Sequence, residues 1–419
     1  MSGNKTIGRL PSGVITPPPS KSLIHRALIC AALAGGRSEI ENFRGSDDVD
    51  ATLEGVRKLR PIKTSLDGDV MSLSPAPGAP RQLGPRGVID CGESGSTLRF
   101  LLPIVALDKR PTIFAGRGRL LHRPLDVYAD VFASSGALFE QDGDRALARG
   151  PLRSGEFRLP GNVSSQFVSG LLLALPLLDG DSVIRLSTPL ESRRYVDMTI
   201  DVMRRFGVGI DSETDTLYRV RGGQRYHPAR IRIEADYSQA AFFLVSAALG
   251  RDVMVAGLSP NSVQGDREIL DVLSGAGADV KWDDGIVSVR AKRLSAITFD
   301  AREAPDLVPP IAVLCCFCEG ESRITNAGRL RMKESDRLSA LSSELKKLGA
   351  RIGETEDSLA ITGMDSLRGG GVDAWSDHRI AMAMAVAAVR CDTPVSLSGW
   401  RNVSKSYPDF WRDFEGGAR

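Results

Sequence analysis

The feature that most constrains the fold is an internal repeat that runs through almost all of the 419 residues. A short polar cluster followed by an apolar helical run occurs six times. Taking one residue in each cluster as a marker, the markers are Ser22, Ser96, Ser165, Ser238, Asp306 and Asp377. Successive markers lie 74, 69, 73, 68 and 71 residues apart. Because helices that are apolar most of the way round belong inside a core, the repeat predicts six buried helices.

A second element recurs between these polar clusters. An amphipathic helix reaches a glycine break and is followed by two short strands around a turn, as in Met198–Phe206, Ile269–Gly277 and Leu341–Leu348 with their following residues. Glycine commonly ends a helix, and Asp-Gly between apolar residues favours a hairpin. Each unit therefore predicts the order βαββαβ. The sixth copy ends with the chain, and Lys5–Val14 could supply its missing strands.

Six such units group naturally into two domains of three. The less patterned stretch Val220–Arg230 and the proline-rich stretch Pro11–Pro19 are the best crossing points between them. We therefore expect one domain at residues 15–228. The other comprises residues 1–14 plus 229–419 and contains both termini. An active site is expected in the cleft between the domains.

Composition excludes several classes of protein. An apolar content of 42% and a charged content of 25% are those of a soluble globular protein. The net charge of +2 lacks the basic excess of a nucleic-acid binder. Neither a signal sequence nor an apolar run long enough to span a bilayer is present. We expect a cytoplasmic protein without membrane or nucleic-acid partners.

The six cysteines fall mostly in apolar helical runs, which favours buried thiols in a reducing compartment. Cys315, Cys316 and Cys318 resemble a metal motif, but no second pair has the spacing of zinc ligands. The sequence therefore predicts neither a disulfide framework nor a zinc site.

The polar clusters at the helix starts point to anion binding. A helix N-terminus carries unsatisfied N–H groups and a partial positive charge. Basic residues accompany these starts or the neighbouring loops: Lys21, Arg26, Arg99, Arg123, Lys333, Arg337, Arg379 and Lys405. Any single serine is better explained as an N-cap. Six clusters at one period, with basic residues attached, favour a site for two anionic substrates.

The segment Arg329–Leu338 is predicted to open a helix. In that helix Arg329, Lys333 and Arg337 lie on one face at i, i+4 and i+8. Like charges at this spacing repel, so the stripe is unfavourable unless an anion lies against it. In isolation the segment is better explained as a solvated helix surface on which Glu334 pairs with Arg337.

These residues carry a resemblance to a known family. The motifs are Pro19–Arg26, Cys91–Arg99, Val163–Gln166, Leu330–Arg337, Ser376–Arg379 and Lys405–Asp409. In order and over essentially the whole chain, they resemble the EPSP synthase family of enolpyruvyl transferases. The Lys-Glu-Ser-Asp-Arg and Asp-His-Arg segments are the most specific. The resemblance implies an α/β (α+β) fold, a two-domain inverse α/β barrel. Each domain has three βαββαβ repeats, with buried parallel helices and outward-facing sheets.

The resemblance also implies a reaction. The enolpyruvyl group of phosphoenolpyruvate passes to the 5-hydroxyl of shikimate 3-phosphate by addition and elimination, without metal or organic cofactor, in a monomer. Residues implied around phosphoenolpyruvate are Lys21, Gly95, Arg99, Arg123, Gln166, Arg337, Arg379 and Lys405. Those implied around shikimate 3-phosphate are Lys21, Ser22, Arg26, Ser164, Ser165, Gln166, Ser192, Tyr195, Asp306 and Lys333.

Two acids are needed for the proton transfers, and Asp306 and Glu334 fit, with Lys21 as a third candidate. Neighbouring basic residues should keep Asp306 ionised. Taken alone, Asp306 could be an N-cap and Glu334 an ion-pair partner.

Four positions bear on how closely the family pattern applies. Relatives usually carry glycine where Pro19 stands, often asparagine at Glu93, and in some members asparagine at Arg329. Glu93 puts an acid near the phosphoenolpyruvate site. Gly95 resembles the glyphosate-sensitive type, because a residue without a side chain lets a ligand approach the backbone closely.

Three rival functions remain at this point. UDP-N-acetylglucosamine enolpyruvyltransferase shares the fold, but most members carry a cysteine where this chain has Gly118. A non-catalytic repeat scaffold would not need an acid pair beside basic residues. An RNA phosphate cyclase-like enzyme needs a histidine nucleophile. His25, His122 and His227 lack a supporting motif, and His378 belongs to Asp-His-Arg.

Overall fold

The structure is a computed structural model that describes residues 3–8, 10–78, 87–143 and 145–416. The chain divides into two compact units. The continuous unit is Lys21–Ile233, and the split unit is Met1–Ser20 plus Glu234–Arg419. The crossings thus follow Ser20 and Ile233, slightly beyond residues 14 and 228, because Pro19 still forms a bridge with Ala235 of the split unit. In the described ranges, no helix is both long and apolar enough to cross a membrane.

The α-helices of the described residues alternate between buried and amphipathic. They are α1 (Lys21–Leu33), α2 (Asp47–Leu59), α3 (Gly95–Val105), α4 (Asp126–Ser135), α5 (Ser165–Ala174), α6 (Arg193–Arg205), α7 (Tyr237–Ala248), α8 (Ile269–Gly275), α9 (Val308–Cys315), α10 (Arg337–Lys347), α11 (His378–Ala387) and α12 (Phe410–Phe414). Helices α1, α3, α5, α7, α9 and α11 are buried almost throughout. These are the six helices that the repeat predicts.

Short strands lie between the helices. They are β1 (Lys5–Ile7), β2 (Gly13–Ile15), β3 (Ser38–Glu41), β4 (Ile62–Asp67), β5 (Val70–Pro75), β6 (Val88–Asp90), β7 (Thr112–Ala115), β8 (Leu138–Asp142), β9 (Arg145–Arg149), β10 (Glu156–Leu159), β11 (Ser182–Leu186), β12 (Asp211–Thr214), β13 (Leu217–Val220), β14 (Arg230–Arg232), β15 (Val253–Ala256), β16 (Asp279–Asp283), β17 (Ile286–Arg290), β18 (Thr298–Asp300), β19 (Glu321–Thr325), β20 (Arg351–Glu354), β21 (Leu359–Thr362), β22 (Gly370–Asp373) and β23 (Val395–Ser398).

Each repeat builds one small sheet. In the continuous unit the orders are β14-β3-β5-β4, β6-β7-β9-β8 and β10-β11-β13-β12. In the split unit they are β2-β15-β17-β16, β18-β19-β21-β20 and β22-β23-β1. In every sheet the first two strands are parallel and the rest are antiparallel. Strands such as β11 and β19 alternate between buried and more exposed residues, so one face covers the helices and the other faces water. The predicted α/β architecture, with helices inside and sheets outside, is confirmed.

The N-terminal strands close the split unit differently from the expectation. Strand β1 completes the sixth sheet, pairing antiparallel with β23 so that Lys5 lies opposite Leu397. Strand β2 instead pairs in parallel with β15 in the fourth sheet, with Val14 opposite Met254. The reason is the chain crossing. The fourth repeat takes its parallel strand from residues that precede the crossing at Ser20, because the strand just before the crossing at Ile233 pairs with β3 in the first sheet. In the same way β14 supplies this strand to the first sheet, beside β3.

Candidate active site

The segment around Lys333 is not the continuous helix that its charge spacing predicts. Residues Gly328–Met332 form a 3-10 turn, Lys333 is extended, and α10 begins only at Arg337. The break arises at Asp336, whose side chain accepts a hydrogen bond from a backbone N–H of the first turn of α10. The predicted stripe of three basic residues on one helix face is therefore wrong. Residues 333–336 lie between the 3-10 turn and α10, so their side chains do not share one helix face.

Asp306 lies inside the 3-10 turn Pro305–Leu307 and not at the N-cap of α9, which is Leu307. Its carboxylate accepts hydrogen bonds from Arg337 Nη1 and Arg379 Nη2, each with a donor–acceptor distance of 3.0 Å. Lys333 Nζ is 4.0 Å from Asp306 Oδ1. Burial would raise the pKa of Asp306, but the charges of Arg379, Lys333 and Arg337 hold it well below its ordinary value. Asp306 is therefore ionised at neutral pH.

Arg337 is the centre of this group. Its Nη2 lies 2.8 Å from Glu334 Oε2, and its Nε lies 2.8 Å from Asp377 Oδ2. Only 1% of Arg337 is exposed. Burial lowers its pKa, but the charges of Asp377, Glu334 and Asp306 outweigh this and raise it. Lys405 Nζ lies 3.5 Å from Glu334 Oε1 on the other side. One guanidinium thus holds three carboxylates in fixed directions.

Asp377 positions both arginines. It is the N-cap of α11 and accepts from the backbone N–H of Arg379 over 2.8 Å, while Ser335 Oγ lies 3.1 Å from its Oδ2. The two residues before it, Trp375 and Ser376, have left-handed backbone conformations with φ of 51° and 54°. We call Asp306, Glu334, Arg337, Asp377 and Arg379 the carboxylate–arginine cluster. The sequence motifs marked Asp377 as a helix start but missed its contact with Arg337.

Lys21 begins α1 in the continuous unit. Its Nζ lies 2.6 Å from Asp48 Oδ2, and Asp48 is buried. Asp48 was not predicted as a site residue from the sequence. The available signal was the acidic first turn of α2 behind the N-cap Ser46, which reads equally well as an ordinary helix start. A buried carboxylate here fixes where the ammonium of Lys21 points.

Arg26 is buried one turn after Lys21 and makes three hydrogen bonds. Its guanidinium donates to the carbonyls of Ser22 (2.7 Å) and Tyr195 (2.9 Å) and to Thr199 Oγ1 (2.7 Å). The guanidinium also lies 5.0 Å from the ring centroid of Phe100. Burial lowers the pKa of Arg26 to about 10. Arg26 therefore ties α1 to α6 and brings Ser22 and Tyr195 together.

Gly95, Arg99, Arg123 and Gln166 form a second group in this unit. Arg99 Nη1 donates to Gln166 Oε1 over 3.0 Å, and Gln166 Nε2 donates to Ser96 Oγ over 3.0 Å. A Cβ added to Gly95 would lie 2.8 Å from Arg99 Nη1, 3.2 Å from Arg123 Nη1 and 3.5 Å from Gln166 Oε1. Gly95 therefore lies directly against the basic and amide groups that were predicted to surround phosphoenolpyruvate.

The predicted phosphate-binding serines lie at two helix starts. Ser164 caps α5 through a hydrogen bond from the Gln166 N–H (3.3 Å), and Ser165 is the first helical residue and is buried. Ser192 precedes α6 with a left-handed φ of 56°, and its carbonyl accepts from the Tyr195 N–H over 3.1 Å. Such hydroxyls at a helix N-terminus suit a phosphate group.

Glu93 and Arg329, the two charged residues that depart from the family pattern, each contact residues nearby. The carboxylate of Glu93 lies against Gly118, so that a Cβ at Gly118 (φ 58°) would collide with it. Arg329 Nη2 donates to the carbonyls of Arg302 and, over 3.5 Å, of Ala301. Arg329 thus contacts the turn before Asp306.

The cysteine-rich run forms helical hydrogen bonds. Cys316 Sγ donates to the Ala312 carbonyl (3.3 Å) and Cys318 Sγ to the Leu314 carbonyl (3.4 Å). Burial raises the pKa of the Cys316 thiol to about 12. Across the part of the chain that the structure describes, no three His, Cys, Asp or Glu side chains are grouped as a metal site requires.

Comparison with known proteins identifies relatives over nearly the whole chain. The profile of the EPSP synthase (3-phosphoshikimate 1-carboxyvinyltransferase) family matches residues 5–414. The 3-phosphoshikimate 1-carboxyvinyltransferase of Clostridium novyi (strain NT) is 44% identical over 411 residues, covering 96% of this chain and 94% of the relative. That of Clostridium acetobutylicum is 43% identical over 408 residues, with the same coverage.

Solved structures agree with the sequence relatives. EPSP synthase from Acinetobacter baumannii superposes with a TM-score of 0.81 at 26% identity, covering 98% of this chain and 97% of that one. A second structure of the enzyme from that organism gives a TM-score of 0.78 at 25% identity. The resemblance found in the motifs therefore extends to the whole architecture.

Proposed function

We propose residue roles for this chain, which belongs to the EPSP synthase family and transfers the enolpyruvyl group of phosphoenolpyruvate to shikimate 3-phosphate in the shikimate pathway. For that reaction we propose that Asp306, Glu334 and Lys21 are the catalytic residues. The observation that carries this proposal is the single guanidinium of Arg337, which holds Asp306 and Glu334 at 3.0 and 2.8 Å. Two carboxylates held in this way have different neighbours and can serve different proton transfers.

The proposed reaction has two steps, an addition and an elimination. In the addition, the C2=C3 double bond of phosphoenolpyruvate opens as the 5-hydroxyl oxygen bonds to C2. The hydroxyl proton passes to Asp306, and C3 gains a proton from Glu334, which enters the cycle in its protonated form. In the elimination, Glu334 takes a proton back from C3, and the C2–O bond to phosphate breaks. The leaving phosphate takes the proton that Asp306 held. The ammonium of Lys21, oriented by Asp48, offsets negative charge on the leaving phosphate.

Substrate binding falls to the remaining residues of each unit. We propose that Arg99, Arg123, Gln166, Arg337, Arg379 and Lys405, with Gly95, bind phosphoenolpyruvate. Ser22, Arg26, Ser164, Ser165, Gln166, Ser192, Tyr195 and Lys333 bind shikimate 3-phosphate, together with Lys21 and Asp306. Guanidinium groups suit these anions because they bind carboxylate and phosphate oxygens in a bidentate manner.

The rival transfer to UDP-N-acetylglucosamine is less well supported. The loop cysteine of that family would stand at Gly118, where a Cβ would collide with Glu93. A histidine nucleophile is also disfavoured at His25. Its ring is buried with Nδ1 2.7 Å from Thr52 Oγ1, and burial lowers its pKa to about 3.

We further propose a cytoplasmic monomer that works without nucleic acid. The small net charge and the buried, protonated thiols such as Cys316 support this proposal. Sedimentation at micromolar concentration should give one species near 45.1 kDa. A dimer under those conditions would contradict the monomer.

The test measures phosphate release from phosphoenolpyruvate, with shikimate 3-phosphate or UDP-N-acetylglucosamine as acceptor. We expect phosphate release only when shikimate 3-phosphate is the acceptor. In Glu334→Gln the rate of release should fall by about 10²- to 10⁴-fold. Glu54→Gln is the matched control, because Glu54 pairs with Arg57 at the same i, i+3 spacing on an exposed helix face. Full activity of Glu334→Gln would exclude Glu334 from catalysis, and turnover with the nucleotide sugar would move the chain to the rival reaction.

A further inference from the structure

A buried carboxylate outside the proposed site links α10, which carries Arg337, to the segment that leads into α11, which carries Arg379. Glu344 lies on α10, about two turns after Arg337, and its side chain is fully buried. Arg379 lies on the other helix, α11. Glu344 has no part in the proton transfers or substrate contacts proposed above, so its burial calls for another explanation.

Several donors converge on the Glu344 carboxylate. Trp375 Nε1 lies 2.7 Å from Oε1, and the backbone N–H of Asp373 lies 2.9 Å from Oε2. Lys347 Nζ lies 2.8 Å from both oxygens, and Ser343 Oγ lies 3.3 Å from Oε1. A buried carboxylate with this many partners is tightly fixed. Two of the donors, Trp375 and Asp373, belong to the segment that leads into α11.

That segment is strained. After β22 ends at Asp373, Trp375 and Ser376 have left-handed φ angles of 51° and 54°, respectively. Residues other than glycine rarely adopt such angles. Such conformations persist where surrounding contacts hold them in place. Here Glu344 holds the indole, and Asp373 Oδ1 accepts from the Trp375 N–H over 2.6 Å. Asp377 follows immediately.

We propose that Glu344 is a positioning residue for the carboxylate–arginine cluster. By holding the Trp375–Ser376 turn against α10, it fixes Asp377, which in turn binds the Arg337 side chain and the Arg379 N–H. The proposal rests on the function proposed for Arg337 and Arg379. It assigns to Glu344, Trp375 and the strained turn a role in phosphoenolpyruvate binding rather than in stability alone.

The experiment compares Glu344→Gln and Trp375→Phe with the wild type. The first replaces one acceptor oxygen of the carboxylate by an NH2 group, which cannot accept a hydrogen bond. The second keeps an aromatic ring but removes the indole N–H. For both we expect kcat/KM for phosphoenolpyruvate to fall roughly 10- to 100-fold, because small misplacements of binding groups are costly. KM for shikimate 3-phosphate should change less than twofold. The acidic limb of the kcat/KM profile should move to higher pH, since Asp306 loses charge partners.

Trp282→Phe is the matched control. Trp282 lies on β16 of the same unit and is 36% exposed, against 37% for Trp375, so the chemical change and exposure are the same. It should leave all three kinetic quantities unchanged. A lower melting temperature with unchanged phosphoenolpyruvate kinetics and pH profile in Trp375→Phe would overturn the proposal, whether or not Glu344→Gln folds. If instead Arg379→Lys left KM for phosphoenolpyruvate unchanged, the proposed binding site itself would fail, independently of Glu344.

Discussion

Arg337 Nη1 lies 3.0 Å from Asp306 Oδ1, so the proposed base is already paired with a guanidinium in this structure. Arg379 holds the other carboxylate oxygen at the same distance. An anionic substrate that binds these guanidinium groups offsets their charge at Asp306. We expect the pKa of Asp306 to rise when that happens, because the charges that hold it down are shared with the substrate. Substrate binding would then prepare Asp306 to accept a proton.

Asp306→Asn tests both the catalytic and the electrostatic role. We expect kcat to fall about 10²- to 10⁴-fold. Because the folded state holds the pKa of Asp306 below its ordinary value, ionised Asp306 stabilises the folded state at neutral pH. This contribution is lost as the pH falls below about 4. Urea unfolding should therefore show the variant less stable at pH 7, with the difference narrowing on acidification.

The control for this prediction is Asp300→Asn, in the same unit. Asp300 forms an exposed ion pair with Arg302 that also lowers its pKa, but it has no proposed contact with substrate. It should retain full activity. A stability difference between Asp306→Asn and wild type that stays constant from pH 7 to pH 3 would contradict the assignment of the lowered pKa.

The pKa of Lys333 predicts that activity falls at high pH, which gives the pH profile a basic limb. Partial burial lowers the pKa of Lys333 to about 8. The charges of Arg337 and Arg329 also lower it, and those of Asp306 and Glu334 raise it. Above that pH the ammonium is lost, so the affinity for shikimate 3-phosphate should fall. In Lys333→Arg the charge persists well above pH 8, and the limb should move to higher pH even though the altered geometry lowers activity.

Steady-state KM for shikimate 3-phosphate, measured between pH 6 and 10, checks this prediction. Lys281→Arg, an exposed lysine beside Asp279, should leave the profile unchanged. If Lys333→Arg kept the wild-type limb near pH 8, another group would have to be titrating there.

Gly95 predicts sensitivity to glyphosate. The wild type should be inhibited, and Gly95→Ala should weaken this inhibition by about tenfold or more, with a smaller rise in KM for phosphoenolpyruvate. The reason is that the new methyl group would lie 2.8 Å from Arg99 Nη1 and 3.2 Å from Arg123 Nη1, where the anion is proposed to bind. Inhibition constants for both proteins provide the measurement.

Gly275→Ala is the control, because it also replaces a helical glycine but meets nothing within 4 Å. Its inhibition should equal that of the wild type. Normal phosphoenolpyruvate affinity together with no inhibition by millimolar glyphosate in the wild type would refute the sensitivity.

Much of the architecture could be predicted from local patterns. The apolar runs at Leu23–Leu33 and Ile380–Val389 indicated buried helices, and those helices are buried. The period of about 70 residues between polar clusters indicated six equivalent units, and six sheets are present in the described residues. These features depend on the periodicity and capping of neighbouring residues, which a sequence shows directly.

The assignment of β2 could not be predicted in this way. Val14 lies close in sequence to Lys5, yet the two belong to different sheets. Which sheet lacks a parallel strand depends on where the chain leaves and re-enters the split unit. The residues of β2 do not by themselves show which sheet the strand joins.

The site shows the same division. Motifs identified Asp306, Glu334, Arg337 and Arg379 as candidate residues from sequence, whereas Asp48 and Glu344 were missed. Each of those two side chains meets partners from another element: Asp48 on α2 meets Lys21 of α1, and Glu344 on α10 meets Trp375 before α11. A sequence by itself determined which helices are buried and which residues are charged. Tertiary structure decided which charges meet, because a hydrogen bond requires two atoms within about 3.5 Å and separation along the sequence does not fix that distance.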